Sequence, residues 1–340
     1  MCGIAGLVFG APVEDPIALG RALTQSLHHR GPDAQGWAQL PRRRGLLAHT
    51  RLSVIDLSDR ARQPFWSPDG AVTLVFNGEI YDFAPLRHAL EARGVRFRSD
   101  SDTEVILQQY LVHGPAGLDA LDGMFALALY DAHRDRLVLM RDRTGKKPLY
   151  WARTPSGGAI AFASEVKALA GVPGVTFAPE PAHLAEYLTF GYVGTPRSAF
   201  KGVQRLPPAH RMIVSAGGPP TLTRYWQLPP PRAARGRVSV PEALARVRGA
   251  VGDAVARRMV ADVPLGAFLS GGVDSSVIVA EMARRSSHPV RTFCVGFEDD
   301  RTFDEREPAR QVAQRFGADH TELVVRTSPT ELLEKLLWHH

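Results

Sequence analysis

The sequence predicts an α+β domain of layered sheets and helices, followed by an α/β unit built on a parallel sheet. From Ile4 to about Ala170, short apolar strands are separated by turns and interrupted by few helices. After Pro241 the pattern changes to helices that alternate with strands. The length of 340 residues, with 44% hydrophobic and 22% charged residues, is enough for two globular cores.

In the first domain, runs of apolar residues bounded by turn residues predict strands at 4–9, 46–55, 71–76, 124–130, 136–140, 149–152 and 159–163. Apolar residues at helical spacing predict helices over 83–93 and 103–113. A region rich in Pro and Gly follows and predicts a connection, exposed from 227 to 241. The predicted boundaries are therefore 1–205 for the first domain, 206–241 for the connection and 242–340 for the second domain.

The second domain is predicted to contain helices at 242–258, 274–284, 305–316 and 329–338, and strands at 265–269, 290–296 and 321–325. Alternation of this kind is typical of a parallel sheet with helices on its faces. A doubly wound nucleotide-binding domain usually has five or six strands, whereas only three are predicted here. We therefore expect the chain to be a fragment of a longer protein.

Composition and charge exclude several classes of function. No apolar run approaches the ~20 residues of a membrane span, and Cys2 and Cys294 cannot form a disulfide framework. The first residues lack a basic leader, so a cytoplasmic location is expected. The net charge of +6 comes mainly from scattered arginines that are not interleaved with aromatic residues. Nucleic acid and membrane are therefore not expected partners.

Cys2 becomes the first residue if the initiator Met1 is removed, which a small second residue permits. A free α-amino group with a pKa near ~8 can accept the proton of the adjacent thiol, so that one residue supplies both nucleophile and base. The alternative is a buried cysteine that happens to be second in the chain.

Five segments occur in order: Met1-Cys2-Gly3-Ile4-Ala5-Gly6, His29-Arg30-Gly31-Pro32-Asp33, Arg51-Leu52-Ser53-Val54-Ile55-Asp56, Phe76-Asn77-Gly78-Glu79-Ile80-Tyr81 and Ser101-Asp102-Thr103-Glu104. Together they resemble the class II glutamine amidotransferases, which are N-terminal-nucleophile glutaminases. The His-Arg-Gly-Pro-Asp form is similar to that of the asparagine synthetases. The resemblance implies an αββα N-terminal-nucleophile sandwich.

By this resemblance the Cys2 thiolate attacks the side-chain amide of glutamine, releases ammonia and leaves a γ-glutamyl thioester that water hydrolyses. Asn77 and the backbone N–H of Gly78 suit an oxyanion hole. Arg51 can hold the α-carboxylate of glutamine, and Asp102 and Glu79 its α-ammonium group. The full set of expected glutamine contacts is Arg51, Leu52, Ser53, Val54, Ile55, Asn77, Gly78, Glu79 and Asp102.

Each of these residues also has a structural interpretation. Asn77-Gly78 suits a hairpin turn, Asp102 suits a helix N-cap, and Arg51 suits an exposed strand position. A cysteine with its own amine needs no histidine base, so we assign the run His28, His29 and Arg30 to loop structure or to closure over substrate.

A second motif joins an apolar strand to a helix through Ser270-Gly271-Gly272-Val273-Asp274-Ser275-Ser276. Paired glycines and a helix N-terminus can hold phosphate, although a simple capped turn is the alternative. Without a lysine the motif is no Walker loop; it resembles the PP-loop of the N-type ATP pyrophosphatases. That resemblance implies ATP contacts from Phe268, Ser270, Gly271, Gly272, Asp274, Ser275, Ser276 and Val295, with Asp274 also holding Mg²⁺. Cys294 is interpreted as a small apolar strand residue.

The two domains together resemble the glutamine-hydrolysing asparagine synthetase family. By this resemblance the second domain is a partial α/β nucleotide-binding domain. The expected reaction uses ammonia from glutamine to amidate aspartate that ATP has activated as β-aspartyl-AMP, and a homodimer is compatible with the resemblance. Beyond the PP-loop the family carries an acidic Gly-rich loop that this sequence does not reach, so this chain is expected to keep the glutaminase half. The alternatives are an amidotransferase acting on another carboxylate acceptor and a non-catalytic protein that binds glutamine or nucleotide.

Overall fold

The computed structural model describes residues 1–10, 13–154, 158–230, 238–297, 304–326 and 329–339. It divides the chain into two compact units, Met1–Pro229 and Pro230–His340. Among the described residues, no helix combines the length and the apolar character needed to cross a membrane.

The first unit contains two six-stranded sheets with antiparallel pairing throughout. One has the order β10-β8-β9-β1-β3-β2, with β1 at Gly3–Val8, β2 at Ala34–Gln39, β3 at Gly45–Arg51, β8 at Tyr150–Arg153, β9 at Ile160–Ala163 and β10 at Val203–Arg205. The other has the order β12-β11-β7-β6-β5-β4, with β4 at Phe65–Trp66, β5 at Val72–Ile80, β6 at Gly123–Asp131, β7 at Arg136–Arg141, β11 at His210–Ser215 and β12 at Thr221–Arg224.

The two sheets pack against each other because alternate residues of each strand are apolar. Ile4 and Val8 of β1 share a buried core with Ala126, Ala128 and Tyr130 of β6. The intervening residues form two further cores under helices α1, Pro16–Ser26, and α4, Val166–Ala170, on one side, and α2, Phe83–Glu91, and α3, Asp102–His113, on the other. The predicted αββα sandwich is confirmed.

Some elements of this unit escaped prediction. Strand β2 lies at a sheet edge and carries polar residues, so it lacks the apolar alternation of a half-buried strand. Helix α1 begins where the Asp15 carboxylate accepts the N–H of Ala18 at 2.8 Å and Pro16 occupies the first turn. Helix α4 and a further helix, α5 at Pro181–Phe190, also lie outside the prediction.

The compact unit extends beyond residue 205, into the range for which Pro and Gly predicted a connection. Strand β11 pairs with β7 and buries Met212 and Val214 in the inter-sheet core, and β12 pairs with β11. Pro207 and Pro208 lie in the short connection between β10 and β11, and Gly217, Gly218, Pro219 and Pro220 lie in the one between β11 and β12. Residues 231–237 of the predicted connection lie outside the described residues.

The second unit alternates helices and strands as predicted. It contains α6 at Val240–Arg257, β13 at Gly266–Phe268, α7 at Val273–Arg285, β14 at Arg291–Phe297, α8 at Arg306–Phe316, β15 at Asp319–Val325 and α9 at Pro329–His339. The strands form a parallel sheet in the order β13-β14-β15. Cys294 is 3% exposed and packs with Leu269, Val279 and Ala309, as expected for a small apolar strand residue.

Candidate active site

A cleft of about 130 Å³ opens in the first unit, well below the ~300–1,000 Å³ of pockets for drug-sized ligands. The places in the fold that contribute to it include the start of β1, the end of β3, the second half of β5 and the start of α3. Predicted site residues that line the cleft are Cys2, Arg51, Leu52, Val54, Ile55, Asn77, Gly78, Glu79 and Asp102. Ser53 lies in the same loop but is not among the lining residues; its N–H is donated to the Asp33 carboxylate at 2.8 Å.

The thiol of Cys2 lies against the first residue of the loop that follows β3. Its Sγ accepts the N–H of Leu52 at 3.4 Å and lies 3.6 Å from the carbonyl oxygen of Leu52. Burial raises the pKa of this thiol, so the neutral form predominates at neutral pH. Nucleophilic attack from Cys2 therefore requires a base at the sulfur.

The backbone of Cys2 is held by an ion cluster behind the cleft. Arg30 Nε donates to the carbonyl oxygen of Cys2 at 2.9 Å, and Arg30 Nη1 donates to Glu165 at 2.8 Å. His29 and Lys167 contact the same carboxylate, at 3.0 and 2.9 Å. Burial opposes ionisation of Glu165, but these hydrogen bonds outweigh it and lower its pKa to about 2. The run His28–Arg30 is a 3₁₀ turn, and its Arg30 side chain holds the backbone of Cys2, a contact that the sequence motif did not indicate.

Asn77 is fully buried on β5, and neither polar atom of its carboxamide has a hydrogen-bond partner among the described residues. Buried polar groups are almost always paired, so an unpaired carboxamide at a cleft indicates a partner supplied by a ligand. A β-carbon at Gly78 would overlap the carbonyl oxygen of Met124 on β6, so glycine keeps the strand pair intact here. The two residues lie within a strand and not at the hairpin turn that Asn-Gly could have formed.

The guanidinium of Arg51 is 7% exposed and holds the loop 52–58. It donates to the carbonyl oxygens of Ser58 at 3.1 Å, Ile55 at 3.4 Å and Asp56. These three bonds leave two of its five N–H groups without a partner among the described residues. Arg51 therefore shapes this loop and also lines the cleft.

Two acidic residues, Glu79 and Asp102, also line the cleft. Asp102 is 4% exposed and accepts the N–H of Ile80 at 3.0 Å; burial raises its pKa to about 6, and the charge of Glu79 adds to the shift. The helix cap is Ser101, which accepts the N–H of Thr103 at 3.2 Å. Asp102 is thus the first residue of α3 and not its N-cap, and its carboxylate is available to the cleft.

Two of the residues that line the cleft, Gln63 and Lys147, were not predicted from sequence. Gln63 accepts the N–H of Phe76 at 2.6 Å and donates to Thr103 at 3.3 Å, which links β5 to α3. Lys147 lines the cleft at 6% exposure; burial lowers its pKa, and the charge of Glu79 opposes that shift. Because each lies far in sequence from the residues it serves, only the tertiary structure reveals these contacts.

The predicted phosphate loop of the second unit connects β13 to α7. Gly271 has a φ of +76°, and a β-carbon there would lie 2.5 Å from Pro308. Ser270 Oγ lies 3.0 Å from Ser275 Oγ and accepts the N–H of Gly272 at 3.3 Å. The hydroxyl of Ser276 donates to Gly272 at 2.7 Å.

The start of α7 is open to a ligand. No side chain caps its N-terminus, and Asp274 in its first turn is exposed, with no described residue paired to its carboxylate. Phe268 at the end of β13 is 82% exposed and Val295 on β14 is 37% exposed. The residues expected to contact adenine are therefore accessible, and the loop has the backbone geometry of an anion cradle.

Comparison with known proteins defines the class first. The family described as glutamine amidotransferase domain matches residues 1–226, so the chain belongs to the glutamine amidotransferases. The asparagine synthase family matches residues 246–340. With both matches, in this order, the chain belongs to the glutamine-hydrolysing asparagine synthetase family, whose synthetase domain uses ATP.

Individual relatives agree with this assignment. The chain is 33% identical to asparagine synthetase 3 of Bacillus subtilis over 99% of its length, covering 56% of that protein. It is 36% identical to a putative asparagine synthetase of Mycobacterium tuberculosis, covering 54% of it, and 34% identical to the amidase chyE of Penicillium rubens, covering 47%. The chain thus spans about half the length of the curated relatives it matches.

One solved structure supports the fold. The glutamine phosphoribosylpyrophosphate amidotransferase of Bacillus subtilis matches 98% of this chain and 92% of its own, with a TM-score of 0.52 and 16% identity.

Proposed function

We propose that the first unit hydrolyses glutamine to glutamate and ammonia, with Cys2 as an N-terminal nucleophile. The observation that carries this proposal is the cleft in which the Cys2 thiol and the unpaired carboxamide of Asn77 occur together. A nucleophile and an unpaired amide donor in one cleft are the two groups that acyl transfer from an amide requires.

The chemistry begins with removal of Met1, which in the structure still precedes Cys2. The freed α-amine accepts the thiol proton, and Sγ attacks the side-chain amide carbon of glutamine. Asn77 Nδ2 and the N–H of Gly78 stabilise the resulting oxyanion. The amine returns the proton to the departing ammonia, which leaves a γ-glutamyl thioester on Cys2. Water then cleaves the thioester and restores the thiol.

Recognition of glutamine uses opposite charges in the cleft lining. The positive charge of Arg51 suits the α-carboxylate, and the carboxylates of Asp102 and Glu79 suit the α-ammonium group.

For the second unit we propose ATP binding at the loop 270–276, with Phe268 and Val295 beside adenine and Asp274 as one Mg²⁺ ligand. The open start of α7 and the unpaired Asp274 fit these groups. In the complete protein, ATP would activate the acceptor carboxylate, and ammonia would reach it internally, because ammonia released into water at pH 7 is mostly protonated. Aspartate is the proposed acceptor, after the relatives named asparagine synthetases. A homodimer and a cytoplasmic location belong to the same proposal.

The test measures glutamate and ammonia after incubation with glutamine, together with the intact mass of the protein. We expect stoichiometric release of both products and a mass that lacks Met1. Asparagine or cysteine supplied in place of glutamine should release no ammonia. Ammonia release by a Cys2→Ala variant at the unsubstituted rate would refute the mechanism. The acceptor is tested by supplying ATP with aspartate or other carboxylates, because a relative named an amidase also matches.

A further inference from the structure

Asp56 ends the Arg51–Asp56 motif but has no assigned role in glutamine binding. It is 7% exposed, is not among the cleft-lining residues, and has a φ of +52°. A left-handed backbone at a non-glycine residue is uncommon and indicates a local structural requirement. The question is what this buried carboxylate holds in place.

On one side Asp56 fixes the loop that carries Arg51. Its Oδ1 accepts the backbone N–H of Ser58 at 3.1 Å and the Ser58 hydroxyl at 2.5 Å. Its own carbonyl oxygen accepts from the Arg51 guanidinium, which also donates to the carbonyl oxygen of Ser58. The orientation of Arg51 therefore depends on the turn that the Asp56 carboxylate closes.

On the other side Asp56 reaches a segment 44 residues later. Its Oδ2 accepts the backbone N–H of Asp100 at 2.8 Å. Asp100 precedes Ser101, the cap of α3, and α3 begins with Asp102. Burial opposes ionisation of Asp56, but the bonds from Ser58 and Asp100 outweigh it and lower its pKa, so both oxygens accept at neutral pH.

We propose that Asp56 is a positioning residue that sets the separation between Arg51 and Asp102, and thereby selects a free α-amino acid. This inference rests on the proposed function, in which those two residues bind the α-carboxylate and the α-ammonium group. One carboxylate is bonded to both segments, so a change in it should loosen recognition of both charged groups of glutamine together.

The test compares glutamine with two analogues: 4-carbamoylbutanoate, which lacks the α-amine, and 4-aminobutanamide, which lacks the α-carboxylate. The kcat/KM of glutamine divided by that of each analogue gives two discrimination ratios. The main variant is Asp56→Asn, because asparagine tolerates the left-handed backbone while it removes one acceptor. Asp59→Asn is the matched control, since Asp59 is an exposed carboxylate of a neighbouring turn that pairs with Arg62.

For Asp56→Asn we expect kcat/KM for glutamine to fall roughly tenfold or more, as for loss of one buried charge-assisted hydrogen bond. The values for both analogues should fall much less, so both ratios shrink. Asp59→Asn should leave both ratios unchanged. Ser58→Ala removes only one donor to Asp56 and should shrink both ratios by a smaller factor, which keeps the test valid if Asp56→Asn does not fold.

Two results would overturn the inference. An equal decrease for all three substrates would show a purely structural role, and a decrease in one ratio alone would show that Asp56 serves one group. If the unsubstituted protein releases no ammonia from glutamine, the proposed function itself fails, whatever the ratios show.

Discussion

Replacing Asn77 with alanine should separate activity from stability. The carboxamide of Asn77 is fully buried and unpaired, so the folded protein bears its desolvation cost, which is ~1–3 kcal/mol for such groups. Its removal relieves that cost but also removes the van der Waals contacts of a fully buried side chain, and the two effects largely offset each other because the space left joins the cleft. We therefore expect the free energy of unfolding to change by less than ~1 kcal/mol, or a Tm within ~4 °C.

The effect on catalysis should be large. Loss of one oxyanion donor typically lowers kcat by ~10²- to 10³-fold, equivalent to ~2.7–4 kcal/mol. Because the carboxamide acts on the transition state, KM for glutamine should change little. The assay is glutamate release at saturating glutamine, combined with thermal unfolding of the same preparation.

A matched control lies on the same strand. Thr73 is fully buried on β5, and its hydroxyl has no partner among the described residues, but it does not line the cleft. Thr73→Val should stabilise the protein and leave kcat unchanged. The reasoning would be refuted if Asn77→Ala kept more than about a tenth of kcat, or if it lowered stability by ~3 kcal/mol or more as loss of a structural hydrogen bond would.

Three further outcomes are expected. Glu165→Gln weakens the hold of Arg30 on the Cys2 carbonyl and should lower kcat about tenfold with KM little changed. An unchanged kcat would show that the ion cluster around Glu165 does not contribute to catalysis. The carboxylate form of Asp102 is lost below its pKa of about 6, so KM for glutamine should rise ~tenfold per pH unit below that point. Because the pKa of Asp102 is higher in the folded protein than in the unfolded chain, the free energy of unfolding should decrease as pH rises from 3.8 to about 6. The Asp102→Asn variant should abolish that decrease in unfolding titrations. Gly271→Ala, at a φ of +76°, should destabilise the second unit by ~1–3 kcal/mol in calorimetry without slowing glutamate release.

Much of the fold could be predicted because apolar periodicity survives in buried strands. The strand runs of β5, β6 and β7 are apolar and central, and the structure places them within a few residues of the predicted limits. Edge strands such as β2 and β12 could not be found this way, because β12 is exposed at all four residues and none of the six residues of β2 is fully buried, so neither strand needs apolar alternation.

The cleft shows the same contrast. Residues within recognisable motifs, such as Cys2 and Asn77, could be selected from the sequence. Gln63, Lys147 and Glu165 could not, because their contacts join segments up to 136 residues apart and have no local pattern. Motifs therefore predict which residues form the site, whereas the tertiary structure shows which residues hold them in place.

The central claim is that Cys2 carries the γ-glutamyl group, and mass spectrometry of the acid-quenched reaction tests it most directly. The account predicts a peptide that begins at Cys2 and bears a γ-glutamyl adduct, which hydroxylamine removes and which the Cys2→Ala variant lacks. Ammonia release without any adduct on this peptide, or with the adduct on another residue, would contradict the account.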